Sequence, residues 1–139
     1  MEVQTSCGAI IIHGKNILII KDKRANNWSF PKGRVQAEET PQQTAIREVK
    51  EEVGLDINII KGFCEVSKFH IGKAVDKTVY YFLAIVETDK IIRQEKEIAI
   101  AQWVPLSEVE NYLRFDNGKR IIKKVKEYLE LLELSNFFD

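Results

Sequence analysis

Three glutamates on one predicted helix are the residues of this sequence best suited to chemistry. Glu48, Glu51 and Glu52 are three and four positions apart, so on a helix they project from roughly the same side. Like charges at this spacing repel each other, and the last turn of a helix disfavours anions by about 0.3–1 kcal/mol. A divalent cation would offset both costs, and carboxylate oxygens suit Mg²⁺ or Mn²⁺. By itself the spacing fits a solvated acidic face equally well.

The residues around these glutamates predict the helix that positions them. Thr40 followed by Gln43 forms a capping-box pattern, and Pro41 stands at the favoured first helical position. Gly54 is a residue type that often follows the end of a helix. We therefore predict a helix over residues 41–53.

This helix should present two different sides. Its apolar stripe, expected to face a core, consists of Ile46, Val49 and Val53. The three glutamates are expected on the opposite side. Arg47 lies four positions before Glu51 and can pair with it, but one arginine cannot neutralise three carboxylates.

The glutamates also belong to a longer spaced pattern. Its nine specified positions are Gly33, Glu39, Arg47, Glu48, Val49, Glu51, Glu52, Gly54 and Leu55. All nine match the signature of the Nudix hydrolases, G-x5-E-x7-R-E-U-x-E-E-x-G-U with U a bulky aliphatic residue, which this segment therefore resembles. A match of this length is highly specific.

The resemblance implies a fold, a reaction and a metal site. The fold would be an α+β single domain over residues 1–139, an α/β/α sandwich with a mixed sheet between helices. The reaction would be hydrolysis of a phosphoanhydride bond, in which metal ions neutralise phosphate charge and activate water. By resemblance, Glu48, Glu51 and Glu52 would bind Mg²⁺ together with the backbone carbonyl of Gly33.

Further roles follow from the same resemblance. Either Glu48 or Glu51 would assist deprotonation of the attacking water. Arg47 would orient the glutamates, and Glu39 would anchor the preceding loop or act through the metal ligands. Glu97 is predicted as a further acidic ligand, because it precedes a predicted strand as the corresponding acid does in relatives. The alternative for Glu97 is a solvated charge on an exposed connection.

Two further segments bear on the substrate. Residues 28–34 (Trp-Ser-Phe-Pro-Lys-Gly-Arg) and 77–81 (Lys-Thr-Val-Tyr-Tyr) resemble the Trp-x-x-Pro-Lys-Gly and Lys-Thr-Val-x-Tyr segments of diadenosine tetraphosphate hydrolases. Lys32 and Lys77 are expected to pair with phosphate oxygens. Tyr81 is expected to stack on adenine, which contributes about 1–3 kcal/mol. Adjacent tyrosines on a strand point to opposite faces, so at least one of the pair is expected to be structural.

The predicted activity is that of a Mg²⁺-dependent pyrophosphohydrolase that splits diadenosine tetraphosphate into ATP and AMP. Hydrolysis of (d)NTPs or of RNA 5′-pyrophosphate is the alternative. The RNA-directed branch usually has Pro-Gln-Gly-Gly where this chain has Pro-Lys-Gly-Arg at residues 31–34, which lowers that alternative. A nucleotide-sensing module without catalysis is a third hypothesis, and the intact set of acids argues against it.

Composition limits the partners. The chain has 139 residues with 21 basic and 21 acidic side chains, so bulk attraction to nucleic acid is not indicated. With neither a signal peptide nor a long apolar run, we expect a cytoplasmic protein without a membrane partner, acting on a nucleotide polyphosphate. Cys7 and Cys64 favour a reduced state, with a disulfide left open. Oligomeric state is not indicated.

The rest of the chain predicts a sheet flanked by helices. Apolar runs bounded by turn residues indicate strands at residues 9–13, 17–21, 57–61, 63–71, 77–87 and 98–104. Residues 22–32 are expected to form a basic loop. Ser107 and Glu110 suggest a capping box for a short helix, and Asn117 suggests the cap of a final helix.

Overall fold

The computed structural model describes residues 2–138, with side chains described for residues 2–133. The described chain contains seven strands, two α-helices and one 3₁₀ helix. In chain order these are β1 (Glu2–His13), β2 (Asn16–Asp22), β3 (Trp28–Ser29), β4 (Lys32–Arg34), α1 (Pro41–Val53), β5 (Asn58–Ile71), β6 (Val75–Ile85), β7 (Ile98–Pro105), the 3₁₀ helix (Leu106–Asn111) and α2 (Asp116–Phe138).

The seven strands form one mixed sheet. Its main order is β3-β2-β1-β6-β5, with β4 paired to β1 and β7 paired to β2. β1 runs parallel to β6 along eleven registered positions and antiparallel to β2 and β4. β6, which accounts for the strand predicted at residues 77–87, lies between β1 and β5.

Helices cover both faces of this sheet, which confirms the predicted α+β sandwich. Because side chains alternate along a strand, odd positions of β1 such as Ala9 face α1, and even positions such as Ile10 face α2. One core layer joins Val49 and Val53 of α1 to the sheet. The other joins Ile121, Ile122 and Val125 of α2 to the opposite face.

Helix α1 has the predicted bounds. The Thr40 hydroxyl accepts the backbone N–H of Gln43, and the Gln43 side chain returns the bond to the Thr40 N–H. Gly54 ends the helix in the left-handed conformation at φ 73°. The predicted apolar stripe was wrong at Ile46, which is 42% exposed, because Thr44 and Ala45 occupy the buried side in its place.

Two strand predictions and one loop prediction were wrong in extent. β1 begins at Glu2 because parallel pairing with β6 supplies partners to a polar segment. β5 is continuous, and Gly62 (φ 97°) forms an irregularity inside it. The predicted loop over residues 22–32 contains β3 and the start of β4.

Both later helix caps were also wrong. The 3₁₀ helix starts after Pro105 without a side-chain cap. Asn117 lies inside α2, where its side-chain amide donates to the Lys68 carbonyl at 3.3 Å. Arg120 donates to the Val66 carbonyl at 2.5 Å. These contacts hold the start of α2 against β5.

The two cysteines are free. Cys7 lies on β1 and Cys64 on β5, with β6 between the two strands. A disulfide needs Cα atoms about 4.4–6.8 Å apart, which two strands separated by a third do not offer. Burial raises the pKa of the Cys7 thiol to about 11. Among the described residues, no helix combines the length and apolar character required to cross a membrane.

Because Gly8 has no side chain, β4 can pack closely against β1. A Cβ at Gly8 would lie 2.1 Å from the Pro31 carbonyl oxygen and 2.9 Å from the Lys32 Cα. We predict that Gly8→Ala lowers the free energy of unfolding by about 2–3 kcal/mol or more, measured by urea denaturation. Gly14→Ala is the control, because that glycine has φ 60° but open space around it and should lose only about 1 kcal/mol. Equal losses would contradict the role of close packing.

Candidate active site

The predicted metal ligands lie where β4 passes between β1 and α1. β4 pairs with β1 through Lys32, Gly33 and Arg34. Alternation along this short strand places Lys32 and Arg34 on the α2 face and Gly33 on the α1 face. Lys32 and Arg34 are therefore presented to one side of β4 and the Gly33 position to the other.

Glu52 is buried, contrary to the prediction that all three glutamates share an outward side. It is 8% exposed, and its Oε2 accepts the backbone N–H of Lys32 at 3.3 Å. Burial, and then the negative charge of Glu48, raise the pKa of Glu52 to about 8, against the opposing effect of Lys32. A carboxyl with such a pKa would lose its proton when a cation binds beside it.

Glu48 occupies the space that a side chain at Gly33 would fill. A Cβ at Gly33 would lie 1.9 Å from the Glu48 carboxyl carbon and 2.2 Å from its Oε2. Burial raises the pKa of Glu48 although Arg47 contacts it and acts in the opposite direction. The Glu48 carboxylate and the Gly33 backbone are thus neighbours, as the prediction of shared ligation requires.

Arg47 connects the other parts of the signature. Its guanidinium contacts Glu39 at 2.6 and 3.0 Å, Glu48 at 2.8 Å and Glu51 at 3.3 Å. It also donates to the backbone carbonyl of Arg34 at 2.9 Å. A single side chain therefore holds α1, the preceding loop and β4 in fixed relation.

Glu39 is the main partner of Arg47 and stabilises the loop before α1. Its carboxylate also accepts the backbone N–H of Gln36 at 2.9 Å and the Thr44 hydroxyl at 3.0 Å. The hydrogen bonds from Arg47 and then from Gln36 lower the pKa of Glu39 to about 2. Glu38, in the loop just before Glu39, adopts φ 67°, a conformation that favours glycine.

The remaining predicted acids differ in exposure. The Glu51 side chain is 54% exposed and lies beside Arg47. Glu97 is exposed, but its charge contributes to raising the pKa of both Glu48 and Glu52, so the structure brings it to the same site.

Backbone hydrogen bonds hold Glu97 in this place. Its carbonyl accepts the Lys23 N–H at 2.9 Å. The N–H of Gln94 donates to the Glu52 carbonyl at 2.9 Å, and the Gln94 carbonyl accepts the Ile98 N–H at 3.1 Å. The turn containing Glu97 is thereby attached to the C-terminal end of α1.

Within the described residues, no three carboxylate, thiol or imidazole groups are arranged close enough to enclose a metal ion. Mg²⁺ does not require such a cage, because it commonly takes one or two carboxylates and completes its shell with water and phosphate oxygens. The charge of half-buried Glu48 adds to burial in raising the pKa of Glu52, an effect that a bound cation would reverse. The donor set therefore fits a hard divalent cation.

A cavity of about 560 Å³ opens beside these carboxylates on the α2 face. Its volume lies within the range of small-molecule sites. The charged residues that line it are Asp22, Lys32, Glu52, His70, Glu97 and Arg114, and the aromatic ones are Trp28, Phe30, Phe69, Tyr81 and Phe115. Groups able to bind phosphate and metal therefore lie next to aromatic side chains on which a flat ring could stack.

Tyr81 lines this cavity but is only 6% exposed, and its ring packs edge-on against Phe30 with centroids 5.7 Å apart. This burial argues against the predicted stacking of adenine on Tyr81, since a base needs an open ring face. Tyr80 lies on the opposite face of β6. Lys77, also predicted to contact phosphate, is partly buried, and burial followed by the charges of Lys32 and Arg34 lowers its pKa.

Sequence reasoning missed the residues with the most open aromatic faces. Phe115 is 57% exposed and Phe69 is 39% exposed, and both line the cavity. The Arg114 guanidinium lies 5.6 Å from the Phe115 ring centroid. In the sequence, Phe115 could have been noticed as an apolar side chain within the polar segment before a helix. Phe69 offers no such signal, because it resembles an ordinary strand residue.

The chain is similar to several known proteins. A model of the NUDIX domain matches residues 3–125. A Sus scrofa bis(5′-nucleosyl)-tetraphosphatase (asymmetrical) is 30% identical over 89% of this chain and 94% of its own length. A Nitratiruptor RNA pyrophosphohydrolase is 31% identical over 76% and 75% respectively. The chain spans only 57% of the length of a further relative, the Mycobacterium tuberculosis mutator protein MutT4, at 28% identity.

Among solved structures, a C. elegans Ap4A hydrolase in a binary complex has a TM-score of 0.82 and 24% identity, over 91% of this chain and 98% of that one. This likeness concerns the fold. Fold, signature and relatives together define a hydrolase acting on phosphoanhydride bonds. The chain belongs to the Nudix family, whose members generally use a divalent metal and act on nucleotide polyphosphates.

The contact between Gly33 and Glu48 makes a direct prediction. Gly33→Ala should displace the Glu48 carboxylate, since the new Cβ would occupy its position. We expect kcat to fall about 100-fold or more, with a loss of stability below about 1 kcal/mol because a flexible side chain can move aside. Steady-state kinetics and thermal unfolding measure the two effects. Retained activity would contradict the placement of Glu48.

The pKa of Glu52 predicts how stability depends on pH in the metal-free protein. The folded state keeps the Glu52 proton up to a pKa of about 8, whereas the unfolded chain releases it near 4.5, so this group favours folding less as pH rises between those values. Glu52→Gln removes the dependence. With chelator present, the variant should gain roughly 1–3 kcal/mol relative to wild type between pH 5 and pH 8 by urea unfolding. If the stabilities of wild type and Glu52→Gln changed with pH in parallel, the raised pKa of Glu52 would be contradicted.

Proposed function

We propose that this protein hydrolyses dinucleoside polyphosphates with Mg²⁺ and splits diadenosine tetraphosphate into ATP and AMP. The observation that supports this best is the cavity that joins the buried Glu52 carboxyl, Glu97 and Lys32 to the exposed rings of Phe69 and Phe115. The relatives named as tetraphosphatases over most of both chains agree with it.

In this proposal the cavity holds one nucleoside. Base stacking on an aromatic face contributes about 1–3 kcal/mol. Phe115 and Phe69 offer open faces for it, and the Arg114 side chain adds a cation beside the Phe115 ring. Tyr81 then forms the floor of the cavity instead of a stacking partner.

The metal would be held by Glu48 and Glu52, with the Gly33 carbonyl and Glu97 nearby and Glu51 at the exposed margin. When bound, Mg²⁺, or Mn²⁺ in its place, neutralises phosphate charge and lowers the pKa of water. Lys32 is the residue of the cavity wall that would bind a phosphate oxygen.

The proton of the attacking water would pass to Glu48. Arg47 donates to its Oε1 at 2.8 Å, which leaves Oε2 without a hydrogen-bond donor among the described contacts. A half-buried carboxylate with a raised pKa is a better general base near neutral pH than the exposed Glu51. As the water oxygen bonds to phosphorus, the bridging P–O bond breaks and its electrons leave with the departing nucleotide. Arg47 and Glu39 act as positioning residues.

A second candidate is hydrolysis of RNA 5′-pyrophosphate or of single nucleotides. The relative named RNA pyrophosphohydrolase favours it, and the cavity is open to solvent at Phe115. The zero net charge of the chain supplies no general attraction for RNA, so a small dinucleotide substrate is preferred.

We predict that purified protein with Mg²⁺ turns over diadenosine tetraphosphate with a higher kcat/KM than nucleoside triphosphates, 5′-triphosphorylated RNA or nucleotide sugars. Products resolved by anion-exchange chromatography should be ATP and AMP. Glu48→Gln should lower kcat about 10²–10⁴-fold, because a general base is lost.

Two comparisons make this test specific. Glu87→Gln is the matched control, because it removes an exposed carboxylate remote from the signature and should leave turnover unchanged. Preference for a mononucleotide or RNA would refute the proposed substrate but would leave the assignment to the hydrolase class unchanged. Equal activity of Glu48→Gln and wild type would refute the assigned proton acceptor.

A further inference from the structure

The cavity beside the carboxylates has one wall on β5 and another at the start of α2. Phe69 lies on β5, whereas Phe115 lies in the short segment between the 3₁₀ helix and α2. Each of the two rings leaves much of its surface open, so packing between apolar side chains constrains this side of the cavity weakly. The contacts that join β5 to α2 therefore decide how far apart the two rings are.

The segment that carries Phe115 has little buried surface of its own. Residues 114–120 are exposed or partly exposed, and they lie between buried Leu113 and buried Ile121. Such a segment gains little stabilisation from the hydrophobic effect, and segments of this kind are the ones that open locally. Polar contacts to β5 are therefore needed to fix its position.

Two side chains near the start of α2 bind backbone carbonyls of β5. Arg120 Nη2 donates to the Val66 carbonyl at 2.5 Å, and Asn117 Nδ2 donates to the Lys68 carbonyl at 3.3 Å. Val66 and Lys68 are two positions apart on the strand, so their carbonyls point toward the same edge. Since β5 ends the main strand order after β6, α2 binds acceptors that the sheet leaves free.

Arg120 is attached to β5 at two neighbouring points. While Nη2 binds the Val66 carbonyl, Nη1 donates to the Glu65 carboxylate at 3.2 Å. Glu65 and Val66 are adjacent on the strand. A planar guanidinium with two acceptors fixes direction better than a single ammonium group does, so this contact orients the helix as well as holding it.

These hydrogen bonds lie close to the cavity wall. Asn117 follows Phe115 by two positions, and its acceptor Lys68 is the chain neighbour of Phe69. Arg120 lies about one helical turn further along α2, outside the cavity wall. Two bonds about one turn apart restrict both the distance and the tilt of this helix end relative to β5.

We infer that Arg120 is a positioning residue, which holds the start of α2 against β5 and keeps the open rings of Phe115 and Phe69 at the separation that a flat ligand ring requires. Its effect on a ligand is indirect, because Arg120 contacts the strand and not the cavity. The ligand class is a flat heteroaromatic ring joined to phosphates. The inference deepens the proposed function, and only its consequence for turnover rests on that function.

ATP and inorganic tripolyphosphate are probes that separate the aromatic part of a ligand from its phosphates. In calorimetric titrations of the full chain with chelator present, wild type should bind ATP more tightly than tripolyphosphate. Arg120→Leu keeps an apolar stem and removes the donors, so it should weaken ATP binding about five- to twentyfold and tripolyphosphate binding less than about twofold. Arg120→Lys retains one donor group and should recover part of the ATP affinity.

A double-mutant cycle with Phe115→Ala shows whether Arg120 acts through that ring. Phe115→Ala alone should weaken ATP binding about five- to hundredfold, because a stacking face is lost. In that background Arg120→Leu should cost less than about twofold more, since the ring that it positions is gone. Additive losses would overturn the inference, and so would equal losses of ATP and tripolyphosphate in Arg120→Leu. Absence of ATP binding by wild type would refute the ligand class.

Two further variants of α2 separate positioning from stability. Tyr128→Phe removes the hydrogen bond from the Tyr128 hydroxyl to the Lys61 carbonyl at 2.7 Å, which also joins α2 to β5 but lies outside the cavity wall. It should lower the melting temperature and leave ATP binding unchanged. Lys123→Gln removes an exposed cation of α2 and should match wild type in both measurements. If Tyr128→Phe weakened ATP binding as much as Arg120→Leu, general loosening of the helix would explain both, and the assigned role would be wrong.

Failure of the proposed function is distinguishable, because the binding cycle requires no turnover and an enzyme inactive on diadenosine tetraphosphate could still show it. Where the tetraphosphate is hydrolysed, Arg120→Leu should raise KM about five- to twentyfold and leave kcat within about twofold of wild type. A fall in kcat at unchanged KM would contradict the positioning role, since Arg120 would then affect the chemical step instead of binding.

Discussion

The close packing of β4 between β1 and α1 is the constraint on which the site depends. Gly8 leaves room for the backbone at Pro31 and Lys32, and Gly33 leaves room for the Glu48 carboxylate. A side chain at Gly8 would push β4 away from β1, and one at Gly33 would displace the Glu48 carboxylate. This packing brings the backbone of Gly33 and the half-buried carboxylate of Glu48 together.

The same strand separates opposite charges. Alternation along Lys32-Gly33-Arg34 directs cations to the cavity face and leaves the other face to Glu48. Each set of charges repels internally, the carboxyls through burial and proximity and the cations through their shared face. A metal ion and a phosphate chain would relieve both sets at once, which is why we regard the two groupings as parts of one site.

Arg47 explains how such unfavourable groups stay in position. It contacts Glu39 and Glu48 and also a backbone carbonyl of β4. Glu39 is bound in turn by the loop before α1, and its low pKa keeps it ionised across ordinary pH. The cost of grouping carboxyls near the cavity is thus offset by a network on the solvent side of α1.

Local patterns determined much of this protein. Thr40, Gln43 and Gly54 set the ends of α1 because capping involves neighbours in the chain, and the spaced signature identified the reaction class.

Local patterns failed where the partners of a residue are distant in sequence. The polar start of β1 is a strand only because β6 lies beside it, and Asn117 bonds to β5 instead of capping α2. Helical spacing placed Glu52 outward, but its carboxylate meets the backbone of Lys32 inside. Tertiary packing alone decided which aromatic rings stay open at the cavity and which, like Tyr81, are covered, because exposure depends on every element that surrounds a side chain.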